Sequence, residues 1–181
     1  MTNVMLDIET LSTNSDAVVI TIGAIKFNRN EELKPLKDYD TFYVRVDPKS
    51  CEEIGCTTDP NTVEWWNNQS KQAKYEALEN KDRLPIRETL IAFSRWLDGS
   101  KVIWANSPSF DCVILENCYK KCGIDIPWKF WLTRDCRTLY DLAGIRKRDL
   151  PSGTLHNSLD DSFSQLIGIY KSFRILKLYG H

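Results

Sequence analysis

The chain is short of histidine, of net charge and of long apolar runs, and each shortage excludes something. Only two histidines occur among its 181 residues, at positions 156 and 181, so chemistry that needs an imidazole has two candidates. The 24 Lys and Arg residues against 25 Asp and Glu leave a net charge of -1. No global basic field therefore draws the chain to nucleic acid or to a membrane, and a polyanionic partner has to be recognised locally. No stretch approaches eighteen uninterrupted apolar residues, so no membrane span is expected. The N-terminus, MTNVMLDIET, reaches an acid by its seventh residue without a basic segment followed by an apolar one, and no secretory signal is expected. The six cysteines, at 51, 56, 112, 118, 122 and 136, contain no Cys-x-x-Cys pair and no zinc-ribbon spacing. They read as reduced thiols of a cytoplasmic protein, behaving as small buried hydrophobes. Cys118 and Cys122, one helical turn apart, suffice for a soft metal only if other ligands join them.

What is present is an ordinary globular composition, 42% hydrophobic and 27% charged, in a length that suits one domain over residues 1–181. Residues 3–6, 18–27 (VVITIGAIKF) and 41–46 (TFYVRV) read as strands, the last closed by Asp47-Pro48. Joined by short loops, they begin an antiparallel meander. From Thr62 the period changes: Val63, Trp66, Ala73 and Ala77 share a helical face entered through Asp59-Pro60-Asn61. Ile86, Leu90, Phe93 and Leu97 form the stripe of a second helix, ended by Gly99. Residues 101–105 (KVIWA) are a fourth strand, 110–122 a helix stopped by Gly123, 129–132 a short fifth strand, and 137–143 another helix. Residues 144–154 read as a polar, basic loop. The last helix, 159–176, carries an apolar stripe of Phe163, Leu166, Ile167, Tyr170 and Phe173. The pattern is α/β, with a mixed five-stranded sheet of three antiparallel strands followed by parallel ones and flanked by helices.

Three groups of acids stand out. Asp7 and Glu9 end the first strand, and residues two apart on a strand share a face, so both carboxylates can converge on one cation of the Mg²⁺ or Mn²⁺ type. Alone this signal is weak, because a random order of so many acids would give about three acid-x-acid triplets. An apolar strand opening with Val4, Met5 and Leu6 is nevertheless central, where two charges are costly without a partner. Asp111 follows the fourth strand in the first turn of a helix, the sheet edge at which ligands gather in open α/β folds. His156 precedes the last helix and Asp161 lies in its first turns. An imidazole of ordinary basicity there can accept a proton from water at neutral pH. Asp160 faces elsewhere, Asp135 reads as a helix cap, and the terminal His181 is set aside.

Asp-x-Glu on the first strand, Asn-x3-Phe-Asp after the fourth and His-x4-Asp opening the last helix resemble, in order and spacing, the three motifs of the DEDDh 3'–5' exonucleases of the ribonuclease H-like superfamily. Thr62-Val63-Glu64-Trp65-Trp66, Gln69-Ser70 and Arg134-Asp135-Cys136-Arg137-Thr138 are similar to the subgroup that holds T-even phage exonuclease A and the mycobacterial poly(A)-directed exoribonuclease. The resemblance spans essentially the whole chain. It implies a ribonuclease H-like fold and a metal-dependent 3'–5' exonuclease. Asp7, Glu9, Asp111 and Asp161 would hold two divalent metal ions, Mg²⁺ or Mn²⁺, around the scissile phosphate, and His156 would be the general base for the attacking water. Nucleoside 5'-monophosphates would leave from the 3' end of a single-stranded or otherwise 3'-ended nucleic acid, DNA or RNA. The setting implied is the cytoplasm of a bacterium or a phage-infected cell, and the expected assembly is a homodimer.

By the same resemblance Thr10 and Leu11 lie against the terminal nucleotide, and Asn106 and Phe110 flank the site. Phe110 reads equally as helix packing or as an aromatic that stacks a base. Trp65 and Trp66 point about 100° apart on a helix and cannot form one platform, so both read as core or interface. Arg134 and Arg137 suit phosphate, a partner subunit or surface ion pairs, and Arg146-Lys147-Arg148 a strand's backbone or simple solvation. The rival reading is a catalytically silent nucleic-acid-binding module. Such a module has no use for four convergent acids that repel phosphate in the absence of metal.

Overall fold

Alternating β-branched residues and two capped helix starts place the strands, and the sheet in turn places the acids. The computed structural model describes residues 2–100, 102–151 and 156–178. His181, Leu155 and residues 152–154 of the expected 144–154 loop lie outside the described residues, as does Lys101 at the head of the expected fourth strand.

β1 (Asn3–Thr10), β2 (Val19–Phe27) and β3 (Thr41–Arg45) form an antiparallel meander, and β4 (Val102–Ala105) and β5 (Thr133–Asp135) add parallel to β1. The order β3-β2-β1-β4-β5 puts β1 at the centre of the five-stranded mixed sheet expected from the sequence. β5 is displaced from its expected place at 129–132. There Phe130–Leu132 forms one 3-10 turn, closed by the Thr133 hydroxyl donating to the Phe130 carbonyl at 2.9 Å. Most of the apolar run stays off the core: Phe130 and Trp131 are 77% and 60% exposed and pack edge-on to each other, and Leu132 alone packs on the core.

A helix that the sequence reading passes over, α1 (Pro48–Glu53), starts at the very dipeptide taken as a strand end. Asp47 caps it by accepting from the Lys49 N–H at 3.2 Å, and Pro48 fills the first helical position, where its missing donor costs nothing. The expected helix beyond Thr62 divides in two. α2 (Pro60–Asn67) is capped by Asp59, and α3 (Lys71–Lys74), capped by Ser70, runs on through a π-helical turn at Tyr75–Glu79. Trp66, Ala73 and Ala77 face the core as expected, whereas Val63 is exposed.

α4 (Ile86–Leu97) buries all four residues of its stripe. α5 (Asp111–Lys121) begins one residue later than expected, with Phe110 as its cap. α6 (Cys136–Ala143) is capped by Asp135, whose carboxylate accepts from the N–H groups of Arg137 and Thr138. α7 (Ser158–Ile175) is capped by Asn157.

Each face of the sheet carries its own core. Val4, Leu6 and Ile8 of β1 pack with residues of α4 and α5, including Leu90, Phe93, Ile114 and Leu115. Met5, on the opposite face, packs with Leu139 and Tyr140 of α6 and Leu166 and Ile169 of α7. Alternation then assigns Asp7 and Glu9 to the α6/α7 face. All six cysteines are free and buried, with the Cys56 and Cys118 sulfurs 3.9 Å apart. Among the described residues no helix is long and apolar enough to cross a membrane.

Candidate active site

β1 is longer than its parallel neighbour. Pairing with β4 ends at Leu6 opposite Ala105, while β1 runs on to Thr10. The backbone of Asp7–Thr10 therefore has no strand beside it on that edge. The chain returns there through Ser107, which takes φ 136°, to the start of α5. Asp111, 4% exposed, fills part of the gap by accepting from the Ile8 N–H at 3.2 Å. The third carboxylate is thus tied to the strand that carries the first two.

The fourth comes from α7, and one glycine admits it. Gly23 of β2 sits opposite Asp7 in the ladder. A Cβ there would lie 2.3 Å from the Ser158 carbonyl carbon. Only glycine lets the start of α7 come this close to the sheet. Ser162 seals the approach by donating its hydroxyl to the Gly23 carbonyl at 3.0 Å. One turn from there, Glu9, His156 and Asp161 present ligand atoms within 4.8 Å of one another. Nδ1 of His156 is 3.9 Å from Oε1 of Glu9.

Asp7, Glu9, Asp111, His156 and Asp161 all line one open cleft of about 550 Å³. The acids feel each other. Burial, then the charges of Asp111, Glu9 and Asp161, hold Asp7 well above the ordinary carboxylate range, against a hydrogen bond from the Gln165 amide at 2.7 Å. Burial pushes Asp111 up to about 7, opposed by the N–H groups of Ile8 and of Asp111 itself and by the Arg137 charge. Four carboxylates lining one cleft, two of them pressed against ionising, offer hard oxygen donors of the kind that suits divalent cations of the Mg²⁺ or Mn²⁺ class.

The remaining expected residues divide. Asn106 and Phe110 line the cleft. Thr10 lines a neighbouring cavity of about 450 Å³ that meets the cleft at Glu9. Leu11 lines neither: its N–H donates to Val18, its carbonyl accepts from Asp59, and its side chain packs on the core. Arg137 faces the cleft, while Arg134 lines a separate hollow with Asn3, Arg29 and Trp104. Asp160 is not part of the cleft lining.

The two tryptophans part company. Trp66 is 1% exposed, whereas Trp65 is 43% exposed and packs against His156. Gln165 and Tyr140 escape the sequence reading although both line the cleft. The only signal for Gln165 is its place one helical turn beyond Asp161, on the same face of α7.

The chain is similar to known nucleases in sequence and in fold. The exodeoxyribonuclease of phage T4 is 26% identical to the chain, over 92% of this chain and 87% of the phage protein. Among solved structures, the zinc-bound complex of E. coli ExoI with single-stranded DNA superposes with a TM-score of 0.67 at 13% identity, over 98% of this chain; the chain spans only 42% of that larger one. The nuclease domain of 3'hExo, a DEDDh family member bound to rAMP, superposes with a TM-score of 0.57 at 16% identity, over 97% of this chain and 92% of that one. The fold is ribonuclease H-like. Residues 2–168 match the 3'-5' exoribonuclease Rv2179c-like domain, and the chain accordingly belongs to that family of 3'–5' exonucleases.

Proposed function

We propose that the cleft hydrolyses the last phosphodiester bond of a nucleic-acid strand and releases a nucleoside 5'-monophosphate from its 3' end. The observation that carries the reading is the convergence of Asp7, Glu9, Asp111 and Asp161 with His156 in one cleft. The four carboxylates would hold two divalent ions, Mg²⁺ or Mn²⁺. When bound, such a pair supplies an activated water and charge neutralisation at the phosphate and the leaving 3'-oxygen. His156 takes the proton of the attacking water, and the Glu9–His156 separation is of the loose kind that tightens when substrate is seated. Asn106 and Phe110 flank the strand in the cleft, Phe110 offering a face for a base. Thr10 and the turn at Leu11 lie toward the terminal nucleotide. Arg137, exposed at the rim, offers a charge to a phosphate. The names of the family and of the phage relative point to RNA and to DNA respectively. Exposed Phe130 and Trp131 supply apolar surface that a second copy would cover in the homodimer, which the molecular mass in solution tests.

The deciding experiment incubates 3'-labelled single-stranded RNA, single-stranded DNA and duplex DNA with Mg²⁺ or Mn²⁺. Stepwise release of labelled mononucleotide is expected, and Asp7→Ala should abolish it in a chain that still folds. Full activity of Asp7→Ala, freed of contaminating nuclease, would refute the role given to the acids, and a native chain that binds the strands but releases no nucleotide would mark a binding module. His156→Ala should retain metal binding and lose on the order of 10²–10⁴ in rate. Loss of metal affinity instead would move the imidazole into the ligand set, in keeping with its closeness to Glu9 and Asp161.

A further inference from the structure

We propose that Trp65 is a positioning residue whose indole holds the His156 imidazole at the cleft. The inference rests on the reading of His156 as general base and adds the residue through which that base is held.

The His156 ring stands edge-on to Trp65, with centroids 4.7 Å apart and planes at 81°. A second contact, to Trp66, is looser at 5.8 Å and 74°. Edge-to-face packing is the arrangement in which ring quadrupoles attract, and it fixes orientation as well as distance.

The Trp65 side of this contact is firmly anchored. α2 is wired to the end of the catalytic strand: the Trp66 indole N–H donates to the Thr10 carbonyl at 2.9 Å, and the Asp59 N–H, at the cap of α2, donates to the Leu11 carbonyl at 2.8 Å. Trp66 is buried, so the indole beside it is carried on a fixed support. His156 lies outside regular structure. It sits in the turn before α7 with φ 62°, a left-handed conformation that residues with a Cβ keep only where their surroundings hold them.

Exposure points the same way. A large aromatic left 43% exposed beside an acid cluster is poorly accounted for by core packing. Trp65 also lines the 450 Å³ cavity together with Glu9 and Thr10, so it stands between that cavity and the imidazole. Displacement of a proton acceptor by about 1 Å costs on the order of 10² in rate, which sets the size of effect to expect.

The test is a double-mutant cycle on a 3'-labelled single strand with Mn²⁺, comparing the native chain with Trp65→Ala, Trp65→Phe, His156→Ala and Trp65→Ala/His156→Ala. Trp65→Ala should lower kcat on the order of 10²-fold with KM little changed, and Trp65→Phe, which keeps an aromatic ring, should recover most of it. In the His156→Ala background, removal of Trp65 should cost nothing further. Undiminished cost in that background would overturn the proposal, as would an effect confined to KM, which would mark Trp65 as a contact for substrate. An unchanged rate in His156→Ala alone would overturn the general-base reading itself. Trp65→Leu, which fills the site without an aromatic ring, takes the place of Trp65→Ala in the cycle should that variant fail to fold.

Discussion

Gln165 gives its amide N–H to Asp7 and so stabilises the ionised form of an acid that burial and three neighbouring charges press against ionising. A partner of that kind orients a ligand and raises its readiness for a cation. Gln165→Leu should therefore weaken Mn²⁺ binding by about 10–100-fold, read by calorimetric titration, while the fold persists. The four acids and His156 are legible in the sequence because their order and spacing survive as a pattern. Gln165 and Trp65 are not, because nothing local in a helix tells which of two neighbouring side chains meets a residue far away in the chain. Trp65 and Trp66 show the limit well: a step of about 100° puts one in the core and the other against the imidazole, so reading the pair as one class loses half of it.

Among the elements, α7 depends most on a single position in another one. Gly23→Ala would thrust a methyl into the backbone of Ser158, which cannot rotate away as a side chain might. The start of α7 has to shift, carrying His156 and Asp161 with it. A destabilisation of about 1–3 kcal/mol is expected in denaturant titration, with a fall in kcat that exceeds what the unfolded fraction explains. The central strands and the apolar stripes of α4 and α7 follow from their period alone. The elements that escape are short: α1 depends on capping by Asp47 and has little apolar content to reveal it, and β5 is three residues at a sheet edge. For β5 the apolar run next to it misleads, since Phe130 and Trp131 turn outward.

At the scale of the whole molecule, two cores meet on β1, and β1 also carries two of the four acids. Stability and function therefore oppose each other along the central strand. Asp7→Asn keeps an oxygen to accept from Gln165 and removes a charge opposed by three others, so the metal-free protein should gain about 1 kcal/mol. Mn²⁺ at a hundred times its dissociation constant should stabilise the native chain by about 2.7 kcal/mol, and Asp7→Asn by much less. Thermal melts with and without Mn²⁺ check both signs; destabilisation of metal-free Asp7→Asn would contradict the repulsion argument. The Glu9–His156–Asp161 cluster also has a consequence in time. It joins a strand that ends at Thr10 to a helix that starts at Ser158. A chain emerging from the ribosome at about 5–20 residues per second passes many seconds with β1 synthesised and α7 still unmade. Throughout that interval the growing polypeptide has no assembled cleft.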